Sequence, residues 1–571
     1  IYGSRPRYET YEVQVQTVTS STVSLWKTEW ITAEQTVFIS ERVDDSGTAY
    51  FTGSFSHVSA AAAGNIVVDA GQDVTINGLI SALDSSSAIS ISAKRNLTLE
   101  GLVPVDTEAA NTLAADAKVA ATSSISLTAG SDLTVASSGL LEVNGDDAAD
   151  ARTITVSAGE SLTYAGPIGQ ALDTGDVAEI PVTVTFTSSD DMDLSGAVIS
   201  AVDQITLTAG DDGSGSASGD IGTQLEVTGN SSNLQITAGA TTGSIDFGAV
   251  SLTAGDRIEL AATSGAILHE GALITADELV ITAGGQVTAN ASIAILSADL
   301  TGDGDLSVTS DTSLTVAKAA NTAGAISLTV YGDLVATNVN TSGGEDQDDI
   351  TLTLYPSAAV ASPTLTITSV SASGLGDITI SGPGTLVQTA NNTLLADHLD
   401  VTVDGSLTLS IATNSLSGRA SSDVDIDSSG SGDFTVTVLT VADGSLALDH
   451  SGGNVTLKSV QLPSTRDAND ISVTSGANLQ LGVLRAGLYY ATDAEADGAV
   501  ITAMGDVTLV AGGTISQYGE DVTVDLVADE LTLSAQTGIT GLDIAANELV
   551  SATTTTGDIT LTEYDGSGES Q

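Results

Sequence analysis

The sequence predicts an all-β protein, a parallel β-helix (solenoid) with an atypical N-terminal β segment. Three observations predict this fold: a strand–turn–strand motif recurs, its copies are regularly spaced, and the composition favours a thin aliphatic core. Hydrophobic residues make up 41% of the 571 residues, but aromatic residues only 3%. A core of Val, Ile, Leu and Ala suits thin, regularly layered structures better than one bulky globular core.

The motif is clearest in "SSISLTAGSDLTV", residues 123–135. It has the form apolar-x-apolar-x-Ala-Gly-x-x-apolar-x-apolar, and this alternation predicts two short strands that each bury one face. Branched aliphatic residues stand five and three positions before every turn glycine. The turn glycines are Gly71, Gly130, Gly159, Gly210, Gly239, Gly255 and Gly284.

The Ala-Gly centre of the motif is predicted to be a bend. Ala fits inside a sharp corner, and Gly permits the positive φ that such a corner can require. Aspartates such as Asp73 and Asp132 follow the glycine. Short polar side chains in a turn can hydrogen-bond to their own backbone, so we expect these carboxylates to do so.

The spacing of the copies indicates a solenoid. The interval from Gly130 to Gly159 equals the interval from Gly255 to Gly284, and the interval from Gly71 to Gly130 is close to double. A period of about 20–50 residues is typical of stacked repeats, whose core forms only when neighbouring coils bury each other's faces. A string of β-sandwich domains is the alternative. It predicts an aromatic marker in each core, whereas the two tryptophans both lie near the start.

Three regions follow from the pattern: an N-terminal cap or assembly segment at 1–57, a β-helix with regular Ala-Gly turns at 58–340, and a β-helix continuation with degenerate repeats and loop insertions at 341–571. On a solenoid, insertions are loops that project from the coils, where binding residues concentrate. The predicted insertions are 104–122, which is Ala-rich and could hold a short helix, 341–349, 463–471 and 485–499.

Residues 1–57 differ from the rest of the chain because they concentrate aromatic and basic side chains. One interpretation is a cap that covers the apolar cross-section and the strand edges of the first coil. The other is an assembly element that adds a strand to the next subunit. The candidate assembly residues are Tyr8, Tyr11, Trp26, Trp30, Arg5 and Arg7.

The charge excludes several classes of partner. The chain has 73 acidic and 14 basic residues, a formal net charge of −59. Nucleic acids and anionic membranes are bound through clustered Lys and Arg, so neither is expected as a partner. No apolar run is long enough to span a bilayer, and no membrane insertion is expected.

No catalytic residues are predicted. The four histidines are far apart in sequence, and "HEGAL" at His269 lacks the second histidine of a zinc-protease motif. Some β-helices degrade polysaccharides, which needs clustered carboxylates, often with basic residues that bind an acidic sugar. Basic residues are scarce here, so an enzyme is the least favoured class.

Calcium is the one cofactor that the sequence suggests. "TGDGDLS" (301–307) and "GGEDQDD" (343–349) concentrate oxygen ligands in short glycine-containing loops, as hard cations prefer. Neither loop has the spacing of an EF-hand, and solvated acidic turns are the alternative interpretation. The candidate ligands are Asp303, Asp305, Glu345, Asp346, Asp348 and Asp349.

The units "ISLTAGSDLTV" and "LVITAGGQVTA" resemble the repeats of filamentous-haemagglutinin-like exoproteins and other large bacterial surface adhesins. The resemblance covers most of 60–340 and, more loosely, 341–560. It implies a right-handed parallel β-helix, secretion, and a role as a stalk, adhesin or extracellular fibre. The family's secretion domain, with its Asn-Pro motifs, is not visible in the sequence, and no catalytic residues carry over.

The function expected from the sequence is therefore that of a secreted, non-enzymatic structural protein. It would form a rigid β-helical rod of a cell-surface or extracellular filament and associate with further copies of itself. An adhesin that binds a glycan or a cell-surface protein through inserted loops is the alternative.

Overall fold

The structure is a computed structural model of the chain, and every element in its described part is a β-strand. The strands described before residue 63 lie at 13–14, 28–30, 38–43, 49–55 and 60–62. From residue 65 onward the structure describes 65–76, 79–82, 88–100, 117–121, 123–136, 139–143, 152–168, 183–189, 192–194, 198–201, 204–209, 225–227, 233–238, 244–246, 251–389, 392–464, 468–490, 500–503, 505–519 and 524–564.

The chain divides into two compact units, Ile1–Ile293 and Ala294–Gln571. The strands that begin in the first unit are β1 (Val13–Gln14), β2 (Thr28–Trp30), β3 (Phe38–Val43), β4 (Ala49–Phe55), β5 (Ala60–Ala62), β6 (Ile66–Ile76), β7 (Leu79–Ala82), β8 (Ala88–Ala93), β9 (Leu97–Leu99), β10 (Ala117–Ala121), β11 (Ser124–Ala129), β12 (Leu133–Val135), β13 (Gly139–Val143), β14 (Thr153–Ala158), β15 (Leu162–Tyr164), β16 (Pro167–Ile168), β17 (Thr183–Ser188), β18 (Met192–Asp193), β19 (Val198–Ala201), β20 (Gln204–Thr208), β21 (Leu225–Val227), β22 (Asn233–Thr237), β23 (Ile245–Asp246), β24 (Leu252–Thr253), β25 (Arg257–Ala262), β26 (Ile267–Ala283) and β27 (Val287–Leu300).

The strands of the second unit are β28 (Leu306–Ser310), β29 (Leu314–Asn321), β30 (Ile326–Tyr331), β31 (Leu334–Ala336), β32 (Val339–Thr341), β33 (Ile350–Tyr355), β34 (Thr364–Ile367), β35 (Val370–Ala372), β36 (Ile378–Gly382), β37 (Thr385–Gln388), β38 (Leu394–Val403), β39 (Leu407–Ala420), β40 (Val424–Ser428), β41 (Phe434–Val441), β42 (Leu446–His450), β43 (Val455–Leu462), β44 (Ile471–Ser475), β45 (Leu479–Tyr490), β46 (Val500–Ala503), β47 (Val507–Ala511), β48 (Thr514–Gln517), β49 (Leu526–Ala535), β50 (Gly538–Thr554) and β51 (Ile559–Glu563).

Three ladders of parallel strands run through the first unit, and successive coils contribute strands to them. The first aligns Ile89, Ile125, Ile154, Val184, Ile205 and Leu234. The second aligns Val74, Leu97, Leu133, Leu162 and Met192. The third aligns Ile80, Val119, Leu141, Ile168 and Ile199. This connectivity confirms the predicted parallel β-helix.

Aliphatic side chains fill the core as the motif predicts. The residues five and three positions before the turn glycines are buried, except Val250, which lies outside the described residues. The corner alanines are also buried, namely Ala70, Ala129, Ala158, Ala209, Ala238, Ala254 and Ala283. Identical positions stack from coil to coil, so each coil covers the apolar face of its neighbour.

Some strands of the first ladder end without the Ala-Gly turn. β8 lies between β6 and β11 in the first ladder, and its corner is Ala93-Lys94. The doubled interval from Gly71 to Gly130 therefore contains two coils. β17 likewise lies between β14 and β20, with Ser188 at the corner. Inward aliphatic residues, not the glycine, mark a coil.

The predicted copy at Gly255 has a different phase from the others. β25 follows Gly255, yet it pairs with the part of β26 that precedes Gly284, with Ile258 opposite Leu279. The two glycines are separated by the regular interval but do not occupy equivalent corners. Buried and exposed residues alternate in the strand before a turn and in the strand after it. Either strand can therefore pair in the first ladder.

Three of the corner glycines, Gly130, Gly159 and Gly284, are needed for space and not for positive φ. Gly71, Gly130, Gly159 and Gly284 all lack a left-handed backbone, contrary to the sequence-based expectation. A Cβ on Gly159 would lie 2.2 Å from the carbonyl oxygen of Gly130. Stacked corners therefore approach too closely for a side chain.

Antiparallel strands precede the first coil. β2 pairs with β3 and β3 with β4, both antiparallel, and β4 then pairs in parallel with β6. The edge of β6 that faces the chain start is thus occupied, as a cap requires. An assembly role for 1–57 stays a prediction.

The second unit contains the same architecture despite its degenerate repeats. One ladder aligns Leu306, Ile326, Ile350, Ile378, Leu399, Leu416, Val436, Leu457 and Leu481. Another aligns Leu314, Leu334, Leu365, Leu386, Leu407, Val424, Leu446, Ile471, Val507 and Leu531. A shorter ladder joins β29, β32, β35 and β38.

Coil length varies because some coils contain insertions, and these insertions leave the strand ladders intact. The step from Leu407 to its partner Val424 is less than half as long as the step from Ile471 to its partner Val507. The longer coil contains an antiparallel hairpin that pairs Tyr490 with Val500. This hairpin coincides with the predicted insertion at 485–499, of which 491–499 lies outside the described residues. The insertion at 341–349 connects β32 to β33. In the one at 104–122, residues 117–121 form β10, while 104–116 and 122 lie outside the described residues, so the short helix stays a prediction.

Candidate functional site at the corners and outer faces

Side chains at the corners of the second unit bind the backbone of the following coil. Asp433 Oδ1 accepts hydrogen bonds from the backbone N and the Nδ2 of Asn454, at 3.1 and 2.8 Å. Asn454 Oδ1 accepts the same pair from Asn478, at 3.1 and 2.9 Å. Asn478 Oδ1 then accepts from the backbone N and Oγ1 of Thr514, both at 2.9 Å. Four coils are joined by this ladder of side chains.

A second corner of this unit is joined in the same way. Asp423 Oδ1 accepts from the backbone N of Ser445 at 2.9 Å, and Ser445 Oγ accepts from Asp470 N at 3.2 Å. Asp470 and Asp506 continue the series by accepting from Asp506 N and Glu530 N. Each acceptor lies one coil before its donor. These side chains satisfy backbone groups that the turns would otherwise leave unpaired.

The first unit has a shorter ladder of this kind. Asp73 Oδ1 accepts from Asn96 N, Asn96 Oδ1 from Asp132 N, and Asp132 Oδ1 from Ser161 N, at 3.1 to 3.3 Å. Arg95 also forms an ion pair with Asp73. The expectation that these aspartates bond to their own backbone was wrong, because the next coil's N–H lies directly above each carboxylate.

The two acidic loops have different environments for their carboxylates. Asp303, Glu345 and Asp346 are exposed to solvent. Asp305 Oδ1 accepts from Ala325 N at 2.9 Å, and Asp349 Oδ1 from Asp377 N at 2.8 Å. Asp305 and Asp349 therefore accept hydrogen bonds at corners, as the aspartates of the ladders do.

Asp348 is fully buried in its loop. Its Oδ1 accepts from Gly324 N at 2.6 Å and its Oδ2 from Glu345 N at 2.8 Å. Its backbone oxygen accepts from Thr341 Oγ1 at 2.6 Å. The carboxylate thus holds the loop that connects β32 to β33 against the preceding coil, and backbone donors occupy both oxygens.

Within the described residues, which include all six candidate calcium ligands, no three His, Asp or Glu side chains gather in a group that could hold a metal ion. Asp305 lies two coils before Asp349 along the ladder, and Asp303, Glu345 and Asp346 face solvent. Calcium binding at these loops stays a prediction.

His398 is hydrogen-bonded on both ring nitrogens. His398 Nδ1 lies 2.7 Å from Ser415 Oγ, and its Nε2 lies 2.9 Å from Ser417 Oγ on the next coil. Its backbone N donates to Asp377 Oδ1 at 2.9 Å. The sequence offered no signal for this cluster, because the residues meet only when β38 pairs with β39.

Asp377, next to His398, has a raised pKa. Partial burial raises the pKa of Asp377, and the neighbouring Asp349 and Asp397 carboxylates raise it further, whereas the hydrogen bond from His398 N and the charge of His398 oppose the rise. The stacking of acidic corners therefore has an electrostatic cost that desolvation increases.

His450 belongs to the core of the second unit. Its ring stacks on Phe434 with centroids 5.6 Å apart, its Nδ1 lies 3.0 Å from Ser428 Oγ, and its Nε2 accepts from Gly453 N at 2.9 Å. His269 is also fully buried. Both side chains lie in the interior of their coils.

Two tyrosines form an exposed aromatic pair on neighbouring coils. Tyr331 and Tyr355 stack with centroids 5.1 Å apart and an interplanar angle of 23°. Both are more than 40% exposed, and the exposed loop 356–362 follows Tyr355 directly. On another coil, Lys458 Nζ lies 5.7 Å from the ring centroid of the exposed Tyr518.

The candidate assembly residues are mostly outside the description. Trp30 ends β2, where its backbone pairs with Phe38, and Tyr8, Tyr11, Trp26, Arg5 and Arg7 lie outside the described residues. The described part of the chain contains no helix that could cross a lipid bilayer.

Comparison with known proteins gave no relatives. No protein-family model, no curated protein and no solved structure matches the chain.

Proposed function

We propose that this chain is a non-enzymatic structural protein, secreted to a cell surface or an extracellular filament, where its β-helix serves as a rigid element. The observation that supports this most strongly is the coupling of successive coils at three levels. Strands pair in parallel, aliphatic side chains stack beneath them, and corner side chains bond to the backbone of the next coil. A β-helix joined in this way resists bending, because any bend must disturb the strand pairing, the aliphatic stacking and the corner hydrogen bonds together.

The charge supports the same role. A net charge of −59 keeps an exposed protein soluble and repels other anionic polymers. The resemblance of its repeats to those of filamentous-haemagglutinin-like exoproteins agrees with an extracellular location. Self-association is part of the proposal, with residues 1–57 at the junction between copies.

Electron microscopy of the full chain and of a variant lacking 1–57 tests this function. The native protein should form filaments, and the deletion should shorten or abolish them because it removes the junction. A melting curve of the variant serves as the control for folding. Filaments of unchanged length without 1–57 contradict the junction, and an absence of filaments in native material contradicts the structural role.

An adhesin is the second candidate, and the Tyr331–Tyr355 pair favours it. Exposed aromatic rings beside a projecting loop supply apolar contact area to a glycan or a protein. The test is a glycan array with the full chain and with Tyr331→Ala/Tyr355→Ala. Saturable binding that falls about tenfold or more in the variant supports an adhesin, whereas no saturable binding excludes a glycan ligand.

Calcium is proposed as an accessory ligand of the two acidic loops. A ligand that binds only the folded state stabilises it by about 2.7 kcal/mol at 100 times its Kd. Removing calcium with a chelator at low salt should therefore lower Tm, and Asp346→Asn/Asp303→Asn should reduce the effect. An unchanged Tm after chelation excludes the site.

A further inference from the structure

One outer face of the first unit carries polar side chains but no charge. It consists of the outward positions of β8, β11, β14, β17, β20 and β22, and we name it the hydroxyl face. Its residues are Ala88, Ser90 and Ser92; Ser124, Ser126 and Thr128; Thr153, Thr155 and Ser157; Thr183, Thr185 and Thr187; Gln204, Thr206 and Thr208; and Asn233, Gln235 and Thr237.

Charged residues border this face on both sides along the ladder. Asp69 occupies the position that pairs with Ser92 on the preceding coil, and Arg257 and Glu259 pair with Asn233 and Gln235 on the following coil. Across six coils of a chain with a net charge of −59, no aspartate or glutamate stands at these outward positions.

The face is a regular two-dimensional array. Adjacent strands pair without a register shift from Ala88 to Thr237, so the hydroxyl groups form straight columns. Parallel strands repeat about every 4.8 Å, and outward residues on one strand recur about every 6.6 Å. Ser90, Thr128 and Thr155 are exposed, and the other Ser and Thr side chains are partly exposed.

A second copy of this chain is the occupant that fits the face best. Its hydroxyl face has the same two repeats, so ridges of one copy match grooves of the other over the whole array. Exposed carboxylates such as Asp69, Asp132 and Glu160 lie elsewhere on the first unit, and two acidic copies that met through them would repel each other at close range. The hydroxyl face lets them approach without that repulsion.

The size of the face sets the strength of such a contact. Six strands about 4.8 Å apart, each about 20 Å long, cover roughly 600 Å² per partner. Stable specific interfaces bury about 800 Å² per partner, so one contact is weak. In a filament many copies of this contact are linked, so they form together and the overall affinity exceeds that of a single contact.

We propose that the hydroxyl face is a lateral self-association surface that pairs with the same face of a second copy. The inference rests on the proposed structural function and adds the surface through which neighbouring elements bundle. It is separate from the end-to-end junction assigned to residues 1–57.

The test compares the full chain with three double variants by sedimentation velocity at increasing NaCl. Thr128→Glu/Thr155→Glu places carboxylates in the centre of the face. Thr128→Gln/Thr155→Gln keeps a similar size without charge. Thr98→Glu/Thr163→Glu adds the same charge to outward threonines of the second ladder, on β9 and β15, and is the matched control. Melting curves establish that each variant folds.

The native chain should associate more tightly as salt screens the remaining charge. The face variant with glutamates should bind at least tenfold more weakly, while the glutamine variant and the Thr98/Thr163 control stay within about twofold of native. Equal association of the two glutamate variants overturns the proposal, as does a native chain that stays monomeric at all salt concentrations. Binding of the native face to cellulose or ice, with no self-association, also overturns it.

Microscopy separates this proposal from the structural function. If both hold, the glutamate face variant forms single filaments where the native protein forms bundles. Native pairs without filaments support the face and contradict the filament role. Native single filaments without bundles support the filament role and contradict the face.

Discussion

The two units close the same kind of coil with different corner chemistry. In the first unit, Gly130 and Gly159 each lie so close to the backbone of the preceding coil that neither has space for a Cβ, and neither has positive φ. In the second unit, Gly344 and Gly374 also stack on adjacent coils but have φ values of 83° and 72°. The described glycines with positive φ all belong to the second unit. A coil thus needs inward aliphatic residues, whereas several corner designs can close it.

Corner hydrogen bonding differs in extent between the units as well. The ladder that begins at Asp73 continues to Ser161. In the second unit, separate ladders begin at Asp423 and Asp433 and continue to Glu530 and Thr514. Among the described residues, the repeats that look degenerate in sequence are therefore joined by longer ladders of side chains.

The largest effect should come from a Cβ at a stacked glycine. Gly159→Ala places its Cβ 2.2 Å from a backbone oxygen, so the coils must separate. We expect a loss of about 4 kcal/mol in the free energy of unfolding of the first unit, measured by urea denaturation. Gly71→Ala is the control, because no atom lies within 4 Å of its Cβ position. Equal losses at both positions contradict the steric role of the corner.

The next largest effect should come from Asp348→Ala. The substitution leaves the N–H groups of Gly324 and Glu345 without acceptors beneath the loop, at a cost of about 3 kcal/mol. Asp346→Ala changes an exposed neighbour and should stay within about 0.5 kcal/mol. Denaturation of both variants in the presence of a chelator measures the difference. A similar small loss in both would show that the buried carboxylate does not hold the loop.

The corner ladders allow a direct comparison of the units. Asn96→Ala and Asn454→Ala each remove an acceptor for the next coil and should each cost about 1–2 kcal/mol. Asn454 also loses side-chain bonds on both sides, so its loss should be the larger of the two. Thermal unfolding of both variants tests the order. A larger loss at Asn96 would contradict the greater role of the ladders in the second unit.

The smallest effect should be the pH dependence at Asp377. Its pKa is raised in the folded state, so the folded protein binds this proton more tightly than the unfolded chain does. Stability from this group is therefore highest below the unfolded pKa and falls as pH rises through the folded pKa. Asp377→Asn keeps an acceptor for His398 N and should remove that fall, raising Tm slightly at neutral pH. Asp349→Asn should weaken the fall, and a Tm that drops in both variants contradicts the repulsion.

Sequence periodicity predicted the strands of this chain well because every second residue of a strand is apolar and buried. Ile125 and Leu127 are core residues whatever their neighbours do, since one face of the strand must be covered. The same reasoning missed the coil at Ile89, whose corner has Lys94 in place of glycine, and misassigned the corner at Gly255. In both cases the motif included the turn glycine, which a coil does not require.

Contacts between coils could not be predicted because they depend on register. His398 meets Ser415 and Ser417 only through the pairing of β38 with β39, and Asp348 lies beside Gly324 only because their two coils are adjacent. Coil length differs widely between the short coil after β39 and the long coil after β44, so no fixed spacing relates such partners in sequence. Their positions follow from the number of residues that each insertion adds.

The sequence by itself determined the fold class, the inward and outward faces of the strands, and the acidic character, because these depend on composition and local alternation. Only the tertiary structure decided which corners stack, which carboxylates accept hydrogen bonds from the next coil, and which outward residues join into the hydroxyl face. Those properties belong to neighbouring coils, and neighbours are defined by strand pairing rather than by distance along the chain.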